Sequence, residues 1–206
     1  MGRRGKARIL AVDTSSIALE FTWHTEPTVP DPIMLVVGLP RPQSARRVLH
    51  DAAALGAREI AFVETERSDP NYRQSFLWHS GEWRRHLIAG AQQAFDTYIP
   101  KVSWEHTLAT VVSNVPNASI RLAFDNYEAI ASMKIALQSV AQVPGQRERT
   151  LDFVLAFGPE RGWSTGDRDI LRSSGFALVS LGRRVLKDET AIVTSLAILR
   201  SEMGWS

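Results

Sequence analysis

The chain has 206 residues, of which 44% are hydrophobic and 22% charged. That is the composition of a folded globular protein with room for a large core, amounting to roughly 1.4 domains at a usual domain length. No apolar run reaches the ~18 residues that span a bilayer, so no membrane segment is expected. Cysteine is absent, which excludes disulfides, zinc-thiolate sites and any chemistry that attacks a substrate through sulfur. The formal net charge is only +2, too small to mark a nucleic-acid binder by bulk charge. The basic residues are nonetheless unevenly placed. Arg3, Arg4, Lys6 and Arg8 precede any acid, Arg41, Arg46 and Arg47 cluster, and the stretch from Arg161 to Lys187 carries several more.

In chain order, residues 7–23 read as two strands around the polar turn Asp13-Thr14-Ser15-Ser16, a hairpin. The basic start MGRRGKAR lacks the uninterrupted apolar stretch of a secretory signal, and a cytoplasmic location is expected. Pro27, Pro30 and Pro32 break the next segment into a linker, which divides the chain into a β-rich part over 1–32 and a larger domain over 33–206. From there strand and helix alternate. Ile33–Leu39 is a strand-length apolar run, Ser44–Leu55 has helical spacing with Gly56 as its stop, and Glu59–Glu64 is a second strand. A helix is predicted over Gly81–Phe95, closed off by Pro100. Strands follow at Ser119–Phe124, Leu151–Phe157 and Phe176–Leu181, and the last helix is Glu189–Arg200. Such alternation predicts an α/β fold with a mostly parallel sheet covered by helices.

In parallel sheets ligands bind beyond the carboxyl ends of the strands, so the loops after strands hold the candidate site. One begins at Asp125 after Ala123-Phe124. A second is Gly158-Pro159-Glu160-Arg161-Gly162-Trp163, running into a Ser164-x-x-Asp167 capping pattern. The third is Leu181-Gly182-Arg183-Arg184-Val185-Leu186-Lys187-Asp188-Glu189-Thr190. Neither the phosphate loop Gly-x-x-x-x-Gly-Lys-Ser/Thr nor the Gly-x-Gly-x-x-Gly fingerprint is present, and no His-Glu-x-x-His or Gly-x-Ser-x-Gly exists. His79 and His86 lie seven residues apart and read as ordinary histidines, so no metal site is expected.

Four segments occur in a telling order: Thr65-Glu66-Arg67-Ser68, Gln92-Gln93 before Ile99-Pro100, Phe157-Gly158-Pro159-Glu160-x-Gly162, and Leu181-Gly182-x-Arg184-Val185-Leu186-x-x-Glu189-Thr190. Together, over about residues 33–200, they resemble the RsmE family of 16S rRNA uracil-N3 methyltransferases within the SPOUT superfamily. The resemblance implies a SPOUT α/β domain whose C-terminal segment forms a deep trefoil knot, a homodimer, an RNA partner and S-adenosylmethionine as cofactor. It places that cofactor against Ala123, Phe124, Gly158, Glu160, Gly162, Leu181, Gly182, Val185, Leu186 and Thr190. Arg67, Arg184 and Lys187 become candidates for stabilising charge on the uracil as its N3 proton is lost. Direct methyl transfer needs no enzyme nucleophile, which suits a chain without cysteine.

The chain departs from the family pattern in four places. Set against the family, the N-terminal part over 1–32 is expected to be a shortened remnant of the PUA-like barrel. Glu-Gln-x-x-Arg becomes Gln92-Gln93-Ala94-Phe95-Asp96, Gly-Pro-Glu-Gly-Gly becomes Gly158-Pro159-Glu160-Arg161-Gly162, and Leu-Arg-Thr-Glu-Thr becomes Leu186-Lys187-Asp188-Glu189-Thr190. A second expectation stands beside the enzyme: a relative that has lost methyl transfer and serves as a dimeric RNA- or cofactor-binding protein.

Overall fold

The structure is a computed structural model, and it describes every residue except 1, 25, 28, 142–151 and 206. Two sheets are present among the described residues. The smaller is the expected hairpin, β1 (Gly5–Val12) against β2 (Ile17–Trp23), antiparallel with a bulge between Ile9 and Ala11. Its turn is built by Asp13, whose Oδ1 accepts from the backbone N–H of Ser15 (2.7 Å) and Ser16 (2.8 Å). With the Ser16 and Ser15 hydroxyls added, these bonds favour the ionised carboxyl and bring Asp13 down to about 2.

The larger sheet has seven strands in the order β5-β4-β3-β8-β6-β9-β7, and every pairing is parallel. These are β3 (Asp31–Gly38), β4 (Ala57–Glu64), β5 (Lys101–Thr107), β6 (Ile120–Phe124), β7 (Ala131–Ser132), β8 (Phe153–Phe157) and β9 (Ala177–Ser180). The seven helices among the described residues are α1 (Pro42–Ala54), α2 (Phe76–His79), α3 (Glu82–Gln93), α4 (Leu108–Ser113), α5 (Met133–Ala141), α6 (Thr165–Ser173) and α7 (Asp188–Met203). Alternation along the central strands explains how both faces are filled. On β8, Phe153, Leu155 and Phe157 join one core with α1, α3, α5 and α7, while Val154 and Ala156 join the other with α4 and α6. All five are buried, as an apolar run at the centre of a parallel sheet should be.

The predicted strands and helices are found, with ends that coincide or differ by at most three residues. Gly56 lies just past α1 with φ 80°, the left-handed stop its position suggested. The helix predicted over Gly81–Phe95 ends at Gln93, and Phe95 takes a positive φ of 54°. The sequence reading assigns nothing between Pro100 and Ser119, where the structure has β5 and α4. β5 is an edge strand that alternates Val102 and Trp104 with the charged Lys101 and Glu105, so it carries no apolar run. The strand start predicted at Leu151 lies outside the described residues.

Among the described residues, hydrogen bonds tie the N-terminal segment to the residues between α3 and β5. Arg4 donates to the Phe95 carbonyl (2.9 Å), and Thr97 Oγ1 donates to the Gly2 carbonyl (2.6 Å). At the same, amino end of the parallel strands, Arg200 of α7 forms an ion pair with Asp31 and donates to the Leu55 carbonyl (3.0 Å).

Candidate functional site

The carboxyl ends of β6, β8 and β9 lie side by side, and the loops that leave them enclose a cavity of ≈ 250 Å³. The loop after β8 is held in place by close backbone approach. A Cβ on Gly38, at the end of β3, would stand 2.5 Å from the Pro159 nitrogen, so only glycine lets the loop press onto the sheet. Gly162 closes the turn with its N–H to the Pro159 carbonyl (2.6 Å) at φ 68°. Trp163, 1% exposed, then anchors the loop by donating from Nε1 to the Phe124 carbonyl (3.0 Å). Ser164 and Asp167 form the expected capping box at the start of α6, each side chain accepting from the other's backbone N–H at 2.9 and 3.0 Å.

The loop after β6 is fixed by Asp125. Its carboxylate accepts from the backbone N–H of Tyr127 (2.6 Å) and Glu128 (2.7 Å) and from Arg168 Nε (2.7 Å). Burial alone would raise this carboxyl, but the Glu128, Arg168 and Tyr127 hydrogen bonds outweigh it and hold it below the ordinary range. Arg168 is 6% exposed and sits 5.8 Å from the Tyr127 ring centroid. Sequence reasoning missed Arg168. The only signal was its place one residue past the capping Asp167.

Of the ten residues expected to touch a cofactor, seven line the cavity: Phe124, Gly158, Glu160, Gly162, Leu181, Val185 and Leu186. Phe124 stacks on Phe157 at 4.6 Å. Ala123 is fully buried within β6 and belongs to the core behind the site. Gly182 and Thr190 flank the lining without forming it. Arg184 stands in the first cavity's wall, and Lys187 in the wall of a second cavity of ≈ 420 Å³ alongside, with Arg41, Gln43, Ser44, Arg47 and Glu189. Arg67 lines neither cavity and instead donates to the Arg161 carbonyl (3.0 Å), bracing the glycine loop from outside. Glu160 lines both cavities and accepts from the Arg41 backbone N–H (2.9 Å), ahead of α1.

This donor set suits an adenosyl ligand. Phe124, Phe157, Leu181, Val185 and Leu186 offer apolar walls to a flat ring, while the glycine loop leaves main-chain groups near its edge. Among the described residues no three His, Cys, Asp or Glu side chains are placed to hold a metal ion.

The RNA methyltransferase domain family matches residues 27–200, most of the chain. The chain belongs to this family. Relatives of that family agree along nearly the whole length. The ribosomal RNA small subunit methyltransferase E of Treponema pallidum is 31% identical over 199 residues, covering 96% of this chain and 73% of that protein. The corresponding Borreliella burgdorferi protein is 26% identical, covering 83% of this chain and 68% of that one. Among solved structures, a ribosomal RNA small subunit methyltransferase E of Neisseria gonorrhoeae, bound to S-adenosyl methionine, superposes with a TM-score of 0.76 at 19% identity. It covers 95% of this chain and 77% of that chain. The parallel sheet with helices on both faces is the fold that this chain shares with that structure.

Proposed function

We propose that the protein is an S-adenosylmethionine-dependent rRNA methyltransferase whose target is N3 of a uridine. The single observation that carries this reading is the cavity itself. In a chain of the RNA methyltransferase family, three loops leave adjacent parallel strands and join apolar walls to a glycine-lined rim. That its relatives are methyltransferases of small-subunit ribosomal RNA supports the substrate class, and the sequence resemblance supports uracil N3.

When bound, the donor supplies an electrophilic methyl group on a positively charged sulfur. The chain's own residues do the rest by position and charge. The Gly158–Gly162 loop and Leu181, Val185 and Leu186 hold the adenosyl portion, with Thr190 and Gly182 shaping the ends of the last loop. Arg184 and Lys187 face the openings of the two cavities and stabilise charge as a uracil loses its N3 proton. Arg67 is a positioning residue acting through Arg161. The C-terminal loop lies against the Gly158–Gly162 loop, and β8 lies between β3 and β6, an arrangement that supports a knotted chain path. A homodimer, residues 1–32 acting as an RNA-binding appendage to a domain over 33–206, and action in the cytoplasm complete the reading.

Isothermal calorimetry with S-adenosylmethionine tests the cofactor, and labelled methyl incorporation into small-subunit rRNA tests the activity. Binding with incorporation is expected. Binding without incorporation would favour the non-transferring relative, and absence of binding at millimolar cofactor would end the reading.

A further inference from the structure

Two carboxylates, Glu160 and Asp188, line both cavities, and a third, Glu189, stands beside them in the wall of the second. Glu160 comes from the loop after β8, while Asp188 and Glu189 open α7. Two arginines from α1 and its N-cap position answer two of them. Arg41 binds Glu160 through its backbone N–H and holds Nε 3.4 Å from the same oxygen, and Arg47 binds Glu189 at 2.9 Å. Asp188 is the carboxyl left over. Its Oδ2 is buried and has no hydrogen-bond partner among the described residues, and no ion pair reaches it. The other cations in the two walls, Arg161, Arg184 and Lys187, are exposed. Burial, and then the charges of Glu160 and Glu189, push Asp188 up to about 7 against the attraction of Arg41.

We propose that Asp188 is a proton-coupled counter-ion through which the first cavity selects a positively charged ligand. The inference rests on reading that cavity as the S-adenosylmethionine site. A carboxyl without a cation stays protonated close to neutrality, and a cation arriving beside it stabilises the ionised form, so binding and proton release are linked. The sulfonium donor carries a fixed positive charge that its demethylated product, S-adenosylhomocysteine, lacks, while the rest of the two molecules is the same. A counter-ion at this wall therefore favours donor over product and eases exchange of one for the other.

Calorimetry on the full chain tests this without any turnover. S-adenosylmethionine and S-adenosylhomocysteine are titrated at pH 6 and pH 8, in buffers of different ionisation enthalpy, into the wild type and Asp188→Asn. The wild type should release a fraction of a proton on binding the donor near pH 6.5, and less on binding the product. Its preference for the donor should grow roughly tenfold from pH 6 to pH 8. Asp188→Asn should bind the product as the wild type does and lose both the proton release and the pH-dependent preference. Retention of either by the variant overturns the proposal. So does a variant that binds neither ligand while keeping the wild-type melting temperature, because Asp188 would then shape the pocket and not select its charge. Magnesium or manganese ions alone producing the same proton release would also overturn it. A wild type that binds both ligands with a pH-independent ratio removes this inference and leaves the functional reading standing. A wild type that binds neither removes the functional reading, and this inference with it.

Discussion

The hairpin β1–β2 and the loop cluster at the carboxyl ends of β6, β8 and β9 are built on opposite principles. Every residue of both hairpin strands is exposed. The exposed set includes Ile9, Leu10, Val12, Ile17, Leu19, Phe21 and Trp23, and the hairpin's own contacts are local: Arg8–Glu20 at 2.6 Å across the two strands, and the tilted Phe21–Trp23 pair at 4.4 Å along one face of β2. At the cavity end the reverse holds. Trp163, Asp167 and Arg168 are nearly sealed from solvent, and backbone atoms of separate loops approach so closely that Gly38 has no room for a side chain. Local pattern suffices to make a hairpin, since register and turn are set within about twenty residues. A preorganised cavity needs distant segments to agree, and its stability is shared with the core.

That contrast can be broken by substitution, and the largest effects belong to the cavity end. Trp163→Ala removes the fully buried indole and its bond to the Phe124 carbonyl, so a loss of about 3–5 kcal/mol is expected in chemical denaturation, with cofactor binding lost alongside. Asp125→Ala removes the 2.7 Å partner of the buried Arg168 Nε, leaves the guanidinium only Glu128 at 3.4 Å, and should cost about 3 kcal/mol. A loss below 1 kcal/mol would show that water reaches Arg168. Arg184→Ala should reduce methyl incorporation at least a hundredfold while melting as the wild type does; retained incorporation removes Arg184 from the chemistry.

A fourth test concerns pH. The folded carboxyl of Asp188 titrates near 7, above its unfolded value of 3.8. The native state therefore holds the extra proton between those values, and stability falls as pH rises through that window. Asp188→Asn should remove this penalty, raising stability on the order of 2 kcal/mol at pH 8 and hardly at all at pH 4. An equal shift at both pH values would mean that the carboxyl titrates normally. The smallest effect belongs to the hairpin. Trp23→Ser should change global stability by less than about 0.5 kcal/mol, because Trp23 is 58% exposed on a strand exposed throughout. A larger loss would show that the hairpin shares the core's stability.

The same contrast separates what the sequence made legible from what it hid. Both hairpin strands and the Asp13 turn follow from alternation and one turn residue, as does the capping box at Ser164 and Asp167. The central strands announce themselves because a strand buried on both faces must be apolar throughout. β5 escaped because an edge strand is half polar. The cavity walls were legible as motifs, and seven of the ten expected residues line it, yet Ala123 illustrates the limit. Its neighbour Phe124 reaches the ligand side, and strand alternation turns Ala123 into the core behind. Arg168 and Asp188 were not legible as site residues because their roles depend on partners 43 residues away, in Asp125, or on the absence of any partner at all. Such roles are properties of the folded arrangement and leave no local pattern.

The clasp between Asp31 and Arg200 carries a consequence for the time course of folding. It joins residues 169 positions apart, and the strands it helps to align pair only in parallel, so few of the sheet's contacts are local. Chains of this kind cross a barrier raised by the entropy of closing long loops, and they fold slowly for their size. A contact between such distant segments forms after that barrier. Removing it should leave the refolding rate nearly unchanged and make the native domain open sooner, so the clasp governs how long the fold lasts more than how quickly it is reached.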